Sequence, residues 1–370
     1  MQTNLSPSHR AVLSIANIQL TNALPEDFAE IFTAVNPEDF VRIAQGNHIH
    51  ALTGRVLLRH PELQNVLPRD LILYLVEMYR ANQDRLQHSQ RQLKQIGEAF
   101  ADEGIPAIVM KGGGDVLDPL HDDPAIRFSG DLDILVQEQR ADRAEEVLVK
   151  LGAQSLRQPA SSSNETVSWR GEKYAEHHLP KIVHADWLLP VEIHILSGRG
   201  PIDRLLPVPD LFARKVAMGD RVLSVMNPED RSCHLIAHAN HHRGGVDLRA
   251  WIDWSALRER CNRDVVGKRL AQEGLEKIFM AFETMADFLE TPVSVPNGAF
   301  WNNAEIWPLV RNFADTKSRR QFYIYNLVKS KLGAVLKSRD YRNYVLENMM
   351  KLDWWKQVWI THKTKRRNLR

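Results

Sequence analysis

Cysteine is scarce, with Cys233 and Cys261 the only two in 370 residues. That excludes a disulfide-stapled scaffold and a cysteine-built metal cluster, and it points to a reducing compartment. Long apolar runs are missing as well, and none approaches the roughly 20 residues that a bilayer-spanning helix needs. Residues 1–24 are interrupted by Pro7, His9, Arg10 and Asn17, so they lack the unbroken apolar stretch of a secretory signal. Charge of one sign is lacking too. Lys and Arg number 48 against 46 Asp and Glu, and the net +2 is too small to argue for wholesale binding to nucleic acid. These absences leave the expectation of a soluble, cytoplasmic protein. Its 44% hydrophobic and 25% charged residues are ordinary for a globular chain, and its length allows two or three domains.

What is present divides into three stretches. Residues 26–104 read as helices, because Pro25-Glu26-Asp27 and Pro37-Glu38-Asp39 each place proline and acids in a first turn. Over 68–101, Leu71, Leu73, Leu75, Val76, Tyr79, Leu86, Leu93, Ile96 and Phe100 recur at helical spacing, and Gly104 stops the helix. Residues 105–110 form a short buried strand, and 140–151 an amphipathic helix ending at Gly152. Residues 153–195 are turns and short extended pieces, with 161–164 a surface loop and 191–195 an alternating strand. From Asn227-Pro228-Glu229, a cap followed by proline and acid, the chain reads as helical to its end. The expected class is α+β, with a small mixed sheet in 104–205 between helical regions at 1–103 and 206–370.

The chemistry concentrates in Met110-Lys111-Gly112-Gly113-Gly114 and, a little later, Ser129-Gly130-Asp131-Leu132-Asp133-Ile134-Leu135-Val136. Side chains in a strand alternate faces, so Asp131 and Asp133 share one face while Leu132, Ile134 and Val136 take the other. Two carboxylates so placed repel unless something positive lies between them. A divalent cation is the natural candidate, and oxygen ligands favour magnesium over zinc. Backbone N–H groups of Gly112, Gly113 and Gly114, opening a helix, suit phosphate oxygens. Strand, glycine turn, helix and an Asp-x-Asp strand together make a scaffold for nucleotidyl transfer. A third carboxylate is expected from a later strand, and Glu192 is the best placed. Glu192 could serve as a metal ligand or take the proton of an attacking hydroxyl, and spacing does not separate the two. Arg127 has two readings, as a partner of the carboxylates or a triphosphate and as an exposed arginine before a strand.

Over 39–257 the chain resembles the uncharacterised nucleotidyltransferase family of the polymerase-β-like superfamily. The residues that carry the resemblance are the helical lead-in at 81–100, Gly104-Ile105-Pro106 before Met110-Lys111-Gly112, and Ile126-Arg127-Phe128-Ser129-Gly130-Asp131-Leu132-Asp133. Val191-Glu192-Ile193-His194, Asn227-Pro228-Glu229-Asp230 and the helix over 234–242 follow in order. The resemblance implies a mixed sheet bearing a metal-dependent site, with Asp131, Asp133 and Glu192 holding one or two Mg2+ ions. An NTP, with ATP the expected donor, would lie on Lys111, Gly112, Gly113, Gly114, Arg127 and His238. An NMP group would pass to an acceptor that the resemblance leaves open among protein, peptide, small molecule and RNA, with release of pyrophosphate. The wider superfamily usually places Gly-Ser in the phosphate turn, whereas this turn has no hydroxyl, and Lys111 is the substitute expected for it. That departure keeps open a second reading, a catalytically silent protein that binds nucleotide or a partner on the same fold.

His234, His238 and His242 fall at i, i+4 and i+8, on one helical face, with Asp247 and Asp253 further on. Histidines so spaced can chelate zinc, which makes a His/Asp metal-dependent phosphohydrolase a third reading. Packing against the sheet, or lining a nucleotide cleft, explains the same stripe, and His238 is central on it. His194, on the face of Glu192, could assist a deprotonation or partner one of the acids. At the C-terminus, Arg319-Arg320-Gln321-Phe322-Tyr323, Trp354-Trp355-Lys356 and Trp359 mix aromatics with positive charge. This basic-aromatic patch suits an anionic partner, and equally an amphipathic helix packed on the body.

Overall fold

In the computed structural model, residues 5–156, 177–218, 222–241 and 246–291 are described. Six helices precede the first strand. They are α1 (Pro7–Thr21), α2 (Phe28–Thr33), α3 (Pro37–Gly46), α4 (His50–Arg59), α5 (Pro61–Gln64) and α6 (Arg69–Asp102). α3 opens on the expected proline and acids, and the Asn36 side chain caps it, accepting from the Asp39 N–H at 2.9 Å. α2 begins only at Phe28, since Asp27 makes no side-chain cap and the Pro25–Asp27 stretch is a turn. α6 is 34 residues long and buries Leu71, Leu75, Tyr79, Leu93, Ile96 and Phe100. It ends as expected, with Gly104 at φ 60° and the Ile105 N–H reaching back to the Phe100 carbonyl at 2.9 Å.

The sheet begins with β1 (Ala107–Met110), followed by α7 (Lys111–Leu117), β2 (Leu132–Val136), α8 (Ala141–Lys150), β3 (Gln154–Ser155), β4 (Ile182–Val183) and β5 (Val191–His194). Two short helices, α9 (Pro201–Leu205) and α10 (Val208–Arg214), lead to β6 (Val216–Ala217) and β7 (Leu223–Val225). The seven strands run in the order β3-β4-β5-β2-β1-β7-β6. β2 is antiparallel to β1 and parallel to β5, and β1 is parallel to β7, so the sheet is mixed. The class is α+β. β6 and β7 lie beyond residue 205, so the sheet draws strands from a stretch whose sequence reads as helical.

Helices cover both faces of the sheet. Val109, Leu132, Ile134, Val136, Val191 and Ile193 pack with Leu93, Ile96 and Phe100 of α6 and with Ala144, Val147 and Leu148 of α8. Ile108, Met110 and Leu135 look the other way, into a cluster shared with α1 and with α11 (Pro228–His241), α12 (Leu248–Arg258), α13 (Arg263–Gln272) and α14 (Glu276–Glu290). The Asn227 side chain caps α11 by accepting from the Asp230 N–H at 2.8 Å. α1 is tied to the end of α14, where Asn17 Nδ2 donates to the carbonyls of Leu289 and Thr291, each at 2.8 Å. Among the described residues no helix is long and apolar enough to cross a membrane. The surface loop expected at 161–164 and the basic-aromatic patch at 319–359 lie outside the described residues.

Candidate active site

Strand register brings the acids together. Met110 of β1 pairs with Asp133 of β2, and Asp133 pairs with Glu192 of β5, so the three stand in one row across the sheet. Asp131, two residues before Asp133, shares its face at the entrance to β2. Leu135 and His194 form the next row, which sets the imidazole beside both buried carboxylates. His194 Nε2 donates to Asp133 Oδ1 at 2.7 Å and lies 3.7 Å from Glu192 Oε2. Lys111 Nζ donates to the same Asp133 oxygen, also at 2.7 Å. Lys181, which no sequence motif marks, lies 2.9 Å from Glu192 Oε1 and 3.6 Å from Asp131 Oδ2.

These partners set the charge states. Burial opposes ionisation of Asp133, but the His194 hydrogen bond and the Lys111 ammonium outweigh it and hold the carboxyl far below the usual carboxylate range. His194, helped by Lys181, brings Glu192 down to about 2 against the effect of burial. Asp131 goes the other way, raised by burial and by the charges of Asp133 and Glu192. Burial works against the imidazolium of His194, yet the two carboxylates lift its pKa above the ordinary value. Single ligand atoms of Asp133, Glu192 and His194 lie within 4.8 Å of one another. Two carboxylates and an imidazole at that spacing are a donor set that fits a divalent cation, with Asp131 beside them.

The glycines also meet a packing demand that the sequence did not show. The bend after β1 is made by Lys111, at φ 48°, a left-handed conformation uncommon outside glycine. Gly112, Gly113 and Gly114 sit in the first turn of α7 because that turn is pressed against its neighbours. A Cβ on Gly113 would lie 2.7 Å from Val109 Cγ1, one on Gly114 would lie 3.0 Å from the Val109 carbonyl, and one on Gly112 would collide with the Ser129 hydroxyl. Ser129 thus brings a hydroxyl to a turn that has none of its own, donating at 3.1 Å to the Asp131 carbonyl.

Arg127 is neither exposed nor on the acid row. It lies half-buried between Asp115 on α7 and Asp253 on α12, its Nε 2.6 Å and 2.9 Å from their carboxylates. Arg231 of α11 also pairs with Asp115, and His121 lies 3.1 Å from Asp253. Asp115, close to the glycine turn in sequence, therefore pairs with two arginines. Burial resists ionisation of Asp253, yet Arg127 and His121 hold it well below the ordinary value.

The histidine stripe faces the same region. His234 is buried, its Nε2 donating to the Ser197 carbonyl at 3.1 Å. Burial, reinforced by the Lys111 ammonium, pushes its pKa down to about 4. His238, half-buried, stacks on His234 with ring centroids 5.5 Å apart. His242 lies outside the described residues. Asp253, engaged by Arg127, does not join the stripe, and among the described residues the potential metal-holding group is the one on β2 and β5. Among the described residues, no group that could hold a metal forms over 234–253. Sequence reading missed Lys181, Ser129, and the His177–His178 pair packed against His194, with centroids 5.3 Å from it. The doublet His177-His178 was the one visible signal among these.

A family model described as uncharacterised nucleotidyltransferase matches residues 33–288. No curated protein matches the chain.

Proposed function

Because the chain belongs to the uncharacterised nucleotidyltransferase family, we propose that it transfers an NMP group from an NTP to an acceptor hydroxyl or phosphate, with release of pyrophosphate. The observation that carries this reading is the row of Asp133 and Glu192 with Asp131 on the same face. ATP is the proposed donor and Mg2+, as one or two ions, the proposed cation. Asp131, Asp133 and Glu192 would hold the cation, with His194 close enough to contribute. When bound, a divalent cation neutralises charge on the phosphoryl oxygens and orients the displacement at the α-phosphate.

The chain's own groups supply the rest. Lys111 and the backbone N–H groups of Gly112, Gly113 and Gly114 face the phosphates, and His238 borders the cleft from α11. Arg127 acts at one remove, holding α7 through Asp115. Glu192 suits cation binding better than proton abstraction, since a carboxyl that protonates only near 2 is a weak base at neutral pH. The acceptor is proposed to be a protein, peptide, small molecule or RNA.

Incubation with labelled ATP, GTP, CTP or UTP, magnesium and host extract should label an acceptor. Asp131→Ala and Asp133→Ala should each abolish the label, and labelling that survives both would overturn the acidic-row mechanism. A second reading, a silent nucleotide binder, draws on the hydroxyl-free turn and on Asp133 already carrying both Lys111 and His194. Tight NTP binding without turnover on any acceptor would favour it.

A further inference from the structure

Lys181 stands between two of the three carboxylates, and its backbone and side chain are held very differently. The backbone is fixed at the sheet. Its carbonyl accepts from the Leu156 N–H at 2.8 Å, the Leu179 N–H donates to the Ile193 carbonyl at 2.7 Å, and Ile182 pairs with Val191. The side chain is 46% exposed, against 11% for Glu192, which it contacts at 2.9 Å. Four rotatable bonds let such an ammonium move several ångströms without disturbing the strand.

An ordinary exposed lysine ion pair contributes almost nothing and carries no function. This one differs in what it touches. Its Nζ bridges Glu192 Oε1 and Asp131 Oδ2, oxygens of two of the three carboxylates proposed to hold the cation. An ammonium and a divalent cation at the same oxygens repel, so entry of one drives out the other. Lys111 has no comparable freedom, being 27% exposed and bound to an Asp133 side chain that is 2% exposed. The displaced Lys181 ammonium would be left facing whatever anion accompanied the cation.

On the nucleotidyl-transfer reading above, we infer that Lys181 is a nucleotide-binding residue that exchanges the Asp131–Glu192 pair for a phosphate oxygen when a cation–triphosphate complex enters. The exchange makes two opposite demands. Removing the ammonium relieves competition at the carboxylates, so a cation alone binds more tightly. It also removes a charge-assisted contact to phosphate, so the cation–triphosphate complex binds less tightly.

The test uses the full chain, with Mn2+ alone followed by the paramagnetic signal of the free ion, and Mn2+–tripolyphosphate by calorimetry. Tripolyphosphate reports on the phosphate grip without presupposing a base. In Lys181→Met, Mn2+ alone should bind about threefold more tightly and Mn2+–tripolyphosphate about tenfold more weakly, the loss expected for one charged hydrogen bond. Lys181→Arg should recover tripolyphosphate binding to within about threefold of wild type, since guanidinium also grips phosphate. Thermal unfolding of each variant checks that the fold is kept. Unchanged constants in Lys181→Met, or weaker Mn2+ binding, would overturn the inference and leave the nucleotidyl reading standing. A wild-type chain that binds neither probe would remove both.

Discussion

A methyl group added at Gly112 would meet the Ser129 side chain and the Arg127 guanidinium, whereas one added at Gly130 would meet nothing within 4 Å. Gly112 packs against Ser129 and Gly130 follows Ser129 in sequence, yet the two are predicted to respond differently. Gly112→Ala should cost about 2 kcal/mol or more, because α7 is pinned by Val109 and cannot back away. Gly130→Ala should stay within about 0.5 kcal/mol of wild type. Urea unfolding of both variants checks the pair, and equal losses would mean that close packing does not explain Gly112. At this scale the carboxylates were legible, because strand alternation puts Asp131 and Asp133 on one face whatever the fold. Arg127 was not. Its partners, Asp115 and Asp253, come from two different helices, and only tertiary structure makes it a half-buried clamp. Lys181 was hidden for a related reason, since a lysine in a turn-rich stretch carries no pattern until β4 is laid beside β5.

α11 carries its consequence in its response to pH. His234 is buried on it with a pKa near 4, so the folded protein favours the neutral imidazole while the unfolded chain binds a proton near 6.5. Stability from this group is therefore complete above about pH 6.5 and is lost as pH falls towards 4. The loss between pH 7 and pH 5 should be about 2 kcal/mol. His234→Gln keeps a donor for the Ser197 carbonyl but does not titrate, so its urea midpoint should fall less over that interval. A slope identical to wild type would show that His234 is not the group responsible. Elements with strong local signals were readable. Pro37, Asn227 and Gly104 mark ends that the structure keeps. β6 and β7 were not readable, because strands of two and three residues carry no periodicity and exist here only by pairing, β7 with β1 and β6 with β7.

The described residues depend on helices that precede the sheet and helices that follow it. Ile108, Met110 and Leu135 of the sheet share one buried cluster with Leu13, Phe32, Trp251 and Phe282. The opposite face needs Leu93, Ile96 and Phe100 from α6. A fragment of residues 104–205 would lose cover on both faces and should not fold alone. Its amide spectrum should be collapsed where the full chain's is dispersed, and a dispersed spectrum would contradict this packing. The order of helices, sheet and helices could be read along the sequence, but their interleaving could not, since contacts such as Asn17 to Leu289 join residues far apart in the chain. The strand order has a further consequence, in time. β2 is bonded on both sides, by β1 and β5, whereas Lys181 precedes a two-residue strand next to the edge of the sheet. Amides of β2 should therefore exchange with solvent only when the molecule opens globally, and those around Lys181 through small local openings. The negative charges of the site sit in its slowest part and its movable positive charge in one of its fastest. The tempo of ligand exchange is then set by a side chain, while the sheet beneath it stays still.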